Sequence, residues 1–478
     1  MRSDATDTVK SYVDNEVVQR LLKAMDFIII FATATFYSTA FAARLDVPNG
    51  ASIITFFSLA LAFLCVLLLR DLGLYKAPAL LSGGWTFLKA TSTLFIIGCA
   101  AYKFLDYFLI PLEPRWLFYW TVVVTSHLAV SRLVAQVWAR PLARQGRFRK
   151  RIAIVGGGKV AEDALNALET SRELDIEVIG LFDDRDNVRS PQSIRSHKKI
   201  GKITELATYA RNNRVDLIIV AIPLSAETRL LGILKRLWEL PVDIRISGRA
   251  STLKFSSTAY THIGRLPLLA IFDRPLMGWG LFLKKVFDRV VAGMAIVLLA
   301  PVMLAVAAAI KFESRGAVIF KQKRYGFNNQ LIEVFKFRSM YTNRCDANAT
   351  TLVSKGDPRV TRVGRFIRRT SLDELPQLFN VLTGQLSLVG PRPHATQAKA
   401  ADTLYEQVVD GYFARHKVRP GITGWAQING WRGETDTREK IEQRVKYDLD
   451  YIDHWSLMFD VNILARTPLA LLKSENAY

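Results

Sequence analysis

A run of β-branched residues, RIAIV at 151–155, leads directly into a glycine turn, GGGKVA at 156–161. Three similar apolar runs follow at 176–182, 217–222 and 242–246. Amphipathic stretches with helical periodicity separate these runs, and this alternation is typical of parallel strands joined by helices. The sequence therefore predicts an α/β domain with a parallel, doubly wound sheet over residues 140–250.

The glycine turn fits the pattern G-x-G-x-x-A, which a Rossmann-like fold places against the phosphates of a dinucleotide. Asp183 and Asp184 follow at about the distance of the acid that binds the ribose in such folds. An NAD-like or nucleotide ligand is one hypothesis; a scaffold or regulatory domain without catalysis is the other, which we favour. No tyrosine is followed four residues later by lysine, so the acid–base pair of short-chain dehydrogenases and epimerases is missing.

The residues before this domain contain long apolar segments. Four segments have the length of about 20 residues that spans a bilayer, and they lie at 21–43, 51–69, 85–109 and 116–138. Basic residues in the loop after the second segment and after the fourth place both regions on the cytoplasmic side by the positive-inside rule. We expect a four-helix transmembrane domain over 1–139, with the later domains in the cytoplasm.

The composition also indicates a membrane protein. Of 478 residues, 50% are hydrophobic, and 64 Lys and Arg against 43 Asp and Glu give a net charge of +21. Disordered proteins are poor in apolar residues, so that class is excluded. The excess positive charge indicates contact with anionic membrane lipids, and we expect no nucleic acid partner. The three cysteines lie far apart, so neither a disulfide framework nor a zinc site is indicated.

A second hydrophobic region follows a predicted linker at 251–280. The segment 290–310 carries no charge, Pro301 lies near its middle, and basic residues flank it on both sides. A fifth crossing would carry the basic C-terminal domain to the other side of the membrane. Because proline removes a backbone donor and kinks a helix, we predict a re-entrant helix over 284–310 that enters one leaflet and returns.

The densest cluster of charge is the stretch KGDPRVTRVGRFIRRTSLDELPQ at 355–377, where six bases and one acid precede the pair Asp373 and Glu374. Such a cluster is typical of phosphate binding, although a solvated surface is the alternative. Three of its arginines recur at every third position and would form one basic stripe on a helix. These are Arg359, Arg362 and Arg365.

The acid pair follows a candidate helix start. Ser371 and Glu374 have the spacing of a capping box, which places Asp373 in the first turn of a helix. There the backbone N–H groups and the helix dipole favour an ionised carboxylate and a nearby phosphate. An ionised carboxylate in a basic, Mg²⁺-binding environment is able to attack phosphorus. Asp373 is therefore the candidate nucleophile, whereas Glu374 is equally a cap or a catalyst on spacing alone.

Three motifs in this part of the chain identify a family. TSLDELPQLFNVL at 370–382, SLVGPRP at 387–393 and RPGITGW at 419–425 closely resemble the polyprenyl-phosphate phosphoglycosyl transferases, the monotopic bacterial sugar transferases. The resemblance covers roughly 281–478, which we assign as a mostly α catalytic domain. The segment GWRGETDT at 430–437 is similar to the undecaprenyl-phosphate glucose phosphotransferase branch.

The resemblance implies a two-step exchange at the cytoplasmic face of the bacterial inner membrane. Asp373 attacks the β-phosphate of a UDP-sugar, UMP leaves, and undecaprenyl phosphate then takes the phosphosugar from the enzyme. The product starts a repeat unit of an exopolysaccharide or capsule. The family uses Mg²⁺, whose preference for hard oxygen ligands suits a diphosphate. Glucose is the expected sugar, with galactose as the alternative. The spans and the extra domain are compatible with a homodimer, and the sequence leaves the oligomeric state open.

The resemblance also assigns further site residues. Glu374 matches the second carboxylate of the family's pair, a helper for the metal or the acceptor, so Asp373 and Glu374 are the expected metal ligands. Arg368 and Arg392 match the phosphate-binding arginines, as bidentate donors should. Lys336 and Arg338 are additional candidates for the headgroup or the nucleotide. Arg419 and Gly421 are expected to shape the nucleotide side, with a purely structural turn as the alternative.

One departure from the family and two competing classes remain. Many members place serine before the hairpin proline, whereas Ala300 stands here, so the kink rests on Pro301 alone. A membrane-anchored, NAD-dependent nucleotide-sugar oxidoreductase or epimerase is the alternative enzyme. A transporter would need acids or broken helices within the N-terminal spans, which contain only Asp26 and Asp106, both near a segment end.

Overall fold

The computed structural model describes most of the chain. The described residues are 15–42, 50–75, 84–108, 115–170, 176–185, 191–248, 260–263, 266–341, 357–394, 399–400, 403–404, 409, 411–431 and 437–473. The chain divides into two compact units, one formed by residues 10–149 and one that contains residues 150–478.

The first unit contains four long helices in its described part: α1 Asn15–Ala42, α2 Gly50–Asp71, α3 Gly84–Phe108 and α4 Arg115–Arg144. Each overlaps one of the four predicted spans. By length and hydropathy, α2 and α4 are able to cross a membrane, as is one later helix. The protein is therefore a membrane protein, while crossings by α1 and α3 stay predictions.

A polar cluster ties the helices of this unit together. Asp26 of α1 is fully buried and accepts hydrogen bonds from Arg132 of α4 at 2.7 Å and from the Tyr75 hydroxyl at 2.8 Å. His127 lies 3.2 Å from the same carboxylate. Buried charges persist when they are paired and hydrogen-bonded, so this acid is best explained as an internal tie between helices.

The second unit begins with an eight-stranded sheet. Its strands are β1 Lys150–Val155, β2 Ile176–Phe182, β3 Ser193–Ile194, β4 His197–Gly201, β5 Leu217–Val220, β6 Asp243–Ser247, β7 Tyr260–Ile263 and β8 Leu266–Phe272. The strand order is β3-β4-β2-β1-β5-β6-β8-β7. The five central strands of this order, β4, β2, β1, β5 and β6, are parallel to one another. At the two edges of the sheet, β3, β8 and β7 pair antiparallel.

The sheet is therefore mixed, and the prediction of a purely parallel sheet is wrong at its edges. The strands β7 and β8 lie within 251–280, which the sequence indicated as a linker, and they extend the sheet beyond β6. Helices cover both faces of the sheet: α5 Lys159–Thr170 packs on one face, and α6 Ile203–Asn212 and α7 Glu227–Leu237 pack on the other. The α/β nature of the domain is confirmed.

The C-terminal part of the second unit is mostly helical. Its helices are α8 Gly278–Glu313, α9 Arg362–Arg369, α10 Gln377–Thr383, α11 Trp425–Ile428, α12 Arg438–Asp453 and α13 Leu457–Lys473. Its strands are β9 Ile319–Tyr325, β10 Leu331–Phe337, β11 Ser387–Val389, β12 Lys399–Ala400, β13 Thr403–Leu404 and β14 Gly421–Thr423. Within its described residues, short 3₁₀ helices lie at Phe327–Asn329, Leu372–Glu374 and Tyr412–Lys417.

Helix α8 contains the predicted re-entrant segment. It is a single helix of 36 residues with Pro301 inside, and it is the third helix able to cross a membrane. Both of its ends are bound by the same C-terminal domain. Lys284 lies 2.7 Å from Asp460 of α13, and Glu313 accepts a hydrogen bond from the Arg362 backbone N–H at 2.6 Å.

Candidate active site

The acid pair lies on a short 3₁₀ turn between α9 and α10. Ser371 adopts left-handed backbone angles, with φ of 58°, and its side chain makes no capping hydrogen bond. The predicted capping box is therefore wrong. The 3₁₀ helix Leu372–Glu374 follows at once, so Asp373 and Glu374 occupy one tight turn just before α10.

The predicted basic stripe is only partly formed. The Thr361 side chain accepts a hydrogen bond from the Gly364 N–H and caps α9, so the helix begins at Arg362. Arg359 lies before this cap and pairs with Asp357 at 2.6 Å. The stripe is thus wrong for Arg359, while Arg362 and Arg365 are exposed on the helix.

Glu374 is held by two cations. Arg392 donates two hydrogen bonds to its carboxylate, at 2.5 Å and 3.3 Å, and Lys336 donates a third at 3.1 Å. Burial would raise the pKa of Glu374, but Arg392 and Lys336 outweigh it and hold this pKa well below the usual range. Glu374 is therefore an ionised anchor that fixes Arg392 and Lys336 beside Asp373.

Asp373, unlike Glu374, is not held by neighbouring cations. It is buried, and it makes no hydrogen bond or ion pair within the part of the chain that the structure describes. Burial raises the pKa of Asp373, and the neighbouring Glu374 carboxylate adds to this effect, whereas Lys336, Arg368 and Arg392 oppose it. An unpartnered carboxylate beside three cations is suited to act as a nucleophile towards an anionic phosphate.

Lys336 reaches the site because β10 is tied to α10. The Asn380 side chain is fully buried; its Oδ1 accepts from the Phe335 N–H at 2.9 Å and its Nδ2 donates to the Glu333 carbonyl at 2.7 Å. These two bonds hold the part of β10 that immediately precedes Lys336. A buried carboxamide with both ends satisfied fixes a strand more firmly than apolar packing alone.

Arg392 is supported from behind by a second buried ion pair. Arg415 donates to the Arg392 backbone carbonyl at 2.8 Å and pairs with Asp448 of α12 at 2.6 Å. Both Arg415 and Asp448 are only 2% exposed. Gly421 contributes through the backbone, since a Cβ there would lie 2.1 Å from the Gly390 nitrogen. The predicted Gly421 is therefore a packing position that lets β14 approach the Arg392 segment.

One site residue escaped the sequence analysis. Arg324 of β9 lies close enough to Asp373, Glu374 and Arg392 for their charges to change its pKa. Burial and then Arg392 lower this pKa to about 10, against the opposing effect of the two carboxylates. Its guanidinium donates to the Pro393 carbonyl and to Gln322 Oε1. In the sequence Arg324 is one of several bases in KQKRYG, and no spacing distinguishes it from a surface residue.

Two predicted residues lie elsewhere. The Arg338 guanidinium donates to the carbonyls of Ser314 at 2.8 Å and Arg315 at 2.7 Å, so it closes the C-terminal end of α8. Arg419 lies with Arg289 around Gly384, at the end of α10 opposite to Asp373. Neither position adjoins the acid pair, and the assignment of Arg338 and Arg419 to the headgroup or the nucleotide stays a prediction.

The glycine turn of the α/β domain is formed as expected. Gly156 has φ of +116°, and a Cβ there would lie 2.7 Å from the Ala221 carbonyl oxygen, so only glycine fits. The two candidate ribose-binding acids already have partners. Asp183 is fully buried and bound by Arg185 and Arg229, and Asp184 accepts a hydrogen bond from the Ile203 N–H at the start of α6.

Comparison with known proteins agrees with this site. Residues 279–474 match the family described as Bacterial sugar transferase, and residues 79–248 match a CoA-binding domain. The fold and the site thus define a membrane-associated sugar transferase. The chain belongs to the bacterial sugar transferases, the polyprenyl-phosphate phosphoglycosyl transferase family.

Particular relatives narrow the class. Undecaprenyl-phosphate glucose phosphotransferase of Komagataeibacter xylinus is 39% identical over 75% of this chain, which spans 66% of that relative's length. UDP-glucose:undecaprenyl-phosphate glucose-1-phosphate transferase of Escherichia coli K12 is 37% identical over 75% of both chains. Exopolysaccharide production protein PSS of Rhizobium leguminosarum is 47% identical over 40% of this chain and 96% of its own.

Proposed function

We propose that this protein transfers glucose 1-phosphate from UDP-glucose to undecaprenyl phosphate through a covalent intermediate on Asp373. The donor and acceptor are those named in the similar transferases. The observation that carries the mechanism is the contrast within the acid pair: Glu374 is bound by two cations, whereas Asp373 is buried and has no partner among the residues that the structure describes. The product would start an exopolysaccharide repeat unit.

In the first step an Asp373 carboxylate oxygen attacks the β-phosphorus of UDP-glucose. The bond between that phosphorus and the bridging oxygen breaks, and UMP leaves with the electron pair. In the second step a phosphate oxygen of undecaprenyl phosphate attacks the same phosphorus and the bond to Asp373 breaks. The carboxylate is restored, and no net oxidation or reduction occurs.

The surrounding cations bind and orient the phosphates. Arg392 and Arg324 present guanidinium groups beside the acid pair, and Arg368 adds a third positive charge near Asp373. Phosphoryl transfer depends on positioning and on neutralising charge at the phosphate oxygens. A rigid layer of arginines therefore lowers the barrier without reorganising during the reaction.

The acid pair also suits Mg²⁺. In proteins this ion is commonly bound by one or two carboxylates together with substrate phosphates and water. The described residues contain no group of three or more acidic, histidine or cysteine side chains able to hold a metal, which fits an ion that arrives with the donor diphosphate. Asp373 and Glu374 are the side chains that would hold it, and it would supply charge neutralisation at the diphosphate.

Helix α8 is proposed to be re-entrant, so that the site lies at the cytoplasmic membrane boundary. Support comes from the binding of both helix ends to one domain, through Asp460 and through Arg362. The outer face between these ends is apolar and exposed, with Val297 and Leu298 both more than three quarters exposed. A helix of this kind keeps the acceptor phosphate close to Asp373 while the prenyl chain stays in lipid.

The test of this function is UMP release. Purified protein with UDP-glucose, Mg²⁺ and undecaprenyl phosphate should release UMP, and Asp373→Asn should lower the rate by at least about 1,000-fold because the amide is not a nucleophile. The variant removes no hydrogen bond seen among the described residues, so its level and membrane association should match wild type.

The alternative enzyme, a nucleotide-sugar oxidoreductase, depends on the glycine turn instead. For that class Gly158→Asp should abolish turnover and bound NAD(P)H should be detected, whereas the transferase should retain UMP release. NAD(P)H-dependent turnover of the nucleotide sugar that Gly158→Asp abolishes and Asp373→Asn leaves unchanged, in a wild-type protein that releases no UMP, would replace our proposal by the oxidoreductase.

A further inference from the structure

A second group of cations lies on the membrane helix, away from the acid pair. Lys285 and Arg289 are one turn apart on α8, and Arg419 approaches them from the loop before β14. A Cβ added to Gly384 would lie 3.3 Å from an Arg289 guanidinium nitrogen and 3.5 Å from one of Arg419. The two guanidinium groups thus converge on a space that this glycine, with φ of +81°, leaves open.

These cations have few partners. Within the described residues, Lys285 and Arg419 make no hydrogen bond or ion pair, and Arg289 donates one long bond, 3.3 Å, to the Leu382 carbonyl. Asp288, the acid that acts on Arg419, is already bound by Ser387 at 2.8 Å and by Lys284 at 3.4 Å. Three converging positive charges with no free acid repel each other unless an external anion joins them.

The half-buried setting strengthens this requirement. Burial and then Arg289 lower the pKa of Arg419, and the opposing effect of Asp288 is smaller than theirs. Arginine side chains are ordinarily paired when they are removed from water. At the C-terminal end of α10, the Leu382 carbonyl accepts a hydrogen bond from Arg289. The remaining guanidinium N–H groups of Arg289 and Arg419 are available for a ligand.

An apolar surface begins beside the cations. Val286, Val290 and Met294 follow along α8, and each is at least 42% exposed. Farther along the same helix, Val297 and Leu298 are the most exposed of its apolar residues after Phe312. A ligand with a phosphate head and long hydrocarbon chains would satisfy both surfaces at once.

This site is separate from the reaction. The cations adjoin the C-terminal end of α10, whereas Asp373 and Glu374 precede its first residue. Seven helical residues extend about 10 Å, so a phosphate held at Gly384 does not reach the Asp373 carboxylate. The group therefore cannot be the place where the phosphosugar is transferred.

We infer that Lys285, Arg289 and Arg419 form a binding site for the phosphate of an anionic membrane phospholipid, whose acyl chains lie along the exposed face of α8. The head phosphate takes the space above Gly384 and accepts charge-assisted hydrogen bonds from the two guanidinium groups. The bound lipid holds the membrane helix against α10 and Arg419, and so fixes the depth of the catalytic domain at the bilayer.

Native mass spectrometry of the full-length protein tests this site without any sugar donor or prenyl acceptor, so its result does not depend on the proposed reaction. Detergent-solubilised protein is titrated with phosphatidylglycerol, and the bound lipid is counted. Lys285→Gln and Arg289→Gln should each weaken retention of one phosphatidylglycerol by about tenfold, because each removes a charge-assisted bond. Lys285→Arg keeps the charge and should restore binding.

Lys311→Gln is the matched control, since it removes one exposed charge at the other end of α8 and should bind like wild type. The same titration is repeated with phosphatidylcholine in place of phosphatidylglycerol, and with inorganic phosphate as a competitor. Equal retention by wild type and both glutamine variants, or equal binding of phosphatidylcholine, would overturn the proposal. Displacement of the lipid by millimolar inorganic phosphate would also overturn it, because the site would then bind free phosphate.

Discussion

Two adjacent carboxylates acquire opposite properties from their neighbours. Glu374 receives Arg392 and Lys336 directly, which keeps it ionised and structurally engaged. Arg392 and Lys336 act on Asp373 only through their charge, without a hydrogen bond. Burial has the largest effect on the pKa of Asp373 and raises it. The pair therefore separates an anchor from a nucleophile, although the two residues are neighbours in sequence and share one 3₁₀ turn.

The raised pKa of Asp373 predicts that the rate of UMP release falls on the acid side of its pH profile, which we call the acid limb. Only the ionised carboxylate attacks phosphorus, so activity should be full above this pKa and fall as the pH decreases through it. The limb should lie above the usual carboxyl pKa of about 3.9. Single-turnover UMP release measured across acidic and neutral pH gives this value.

Replacing Lys336 tests whether this lysine lowers the pKa of Asp373. Lys336 is the strongest of the cations that lower the pKa of Asp373, so Lys336→Met should move the acid limb to higher pH. Rates are compared after scaling each profile to its own maximum, which removes any loss of substrate binding. A limb that stays in place or moves to lower pH would contradict this assignment.

The Arg415–Asp448 pair predicts a positioning effect on Arg392. Asp448→Asn leaves a buried guanidinium without its counter-charge, which should cost about 3 kcal/mol of stability and raise the KM for UDP-glucose more than it lowers kcat. Asp453→Asn, at the exposed end of the same helix, is the control. A change in stability alone, with kinetics like the control, would show that the pair does not position Arg392.

At the scale of elements, α8 connects the membrane to the site. Pro301 removes one backbone donor, so the carbonyl of Val297 loses its helical partner at the most exposed part of the helix. Arg338 and Glu313 fasten the C-terminal end of α8 to the catalytic domain, and Lys284 fastens its N-terminal end. This double attachment explains why a segment long enough to cross is proposed to return.

Cysteine labelling tests the course of this helix. In a background where Cys65, Cys99 and Cys345 are serine, single cysteines replace the exposed Met277 and Phe312, one beside each end of α8. A re-entrant helix predicts that a membrane-impermeant maleimide labels both positions in inside-out vesicles and neither in spheroplasts. Labelling of the two positions from opposite sides would establish a crossing and refute the re-entrant proposal.

The motifs located the acid pair and its cations because the relevant contacts are local or recur in fixed order along the chain. Asp373, Glu374, Lys336 and Arg392 meet in space, as the resemblance implied. Arg338 and Arg419 were named from the stretches FKFRSM and RPGITG, but Arg338 directly follows β10 and contacts the end of α8, and Arg419 precedes β14 and lies beside Arg289 of α8. Arg324 was missed since only the pairing of β9 with β10 brings it to the site.

At the scale of the whole molecule, the α/β domain and the catalytic domain belong to one compact unit. Lys417 lies over the Trp238 ring at 4.9 Å, and Arg211 lies over the Phe413 ring at 5.6 Å. The same 3₁₀ segment, Tyr412–Lys417, carries the Arg415 that holds the Arg392 carbonyl. The α/β domain thus supports the active site physically, and this role needs no bound nucleotide.

The mixed sheet illustrates what the sequence pattern could not predict. Four of the five parallel strands followed from apolar runs separated by helical stretches, whereas β4 was not predicted. Apolar residues lie on both faces of the sheet. The antiparallel β7 and β8 were missed because their residues are interrupted by glycine and proline. Such punctuation is typical of a linker and equally of a hairpin at a sheet edge.

The central claim is a covalent bond between Asp373 and the donor's β-phosphorus. Protein is incubated with UDP-glucose and Mg²⁺ without acceptor, quenched in acid, digested and mapped by mass spectrometry. We predict a hexose-phosphate adduct on the peptide that contains Asp373, absent from Asp373→Asn and removed by adding undecaprenyl phosphate. An adduct on another residue, or full UMP release by Asp373→Ala, would contradict the mechanism.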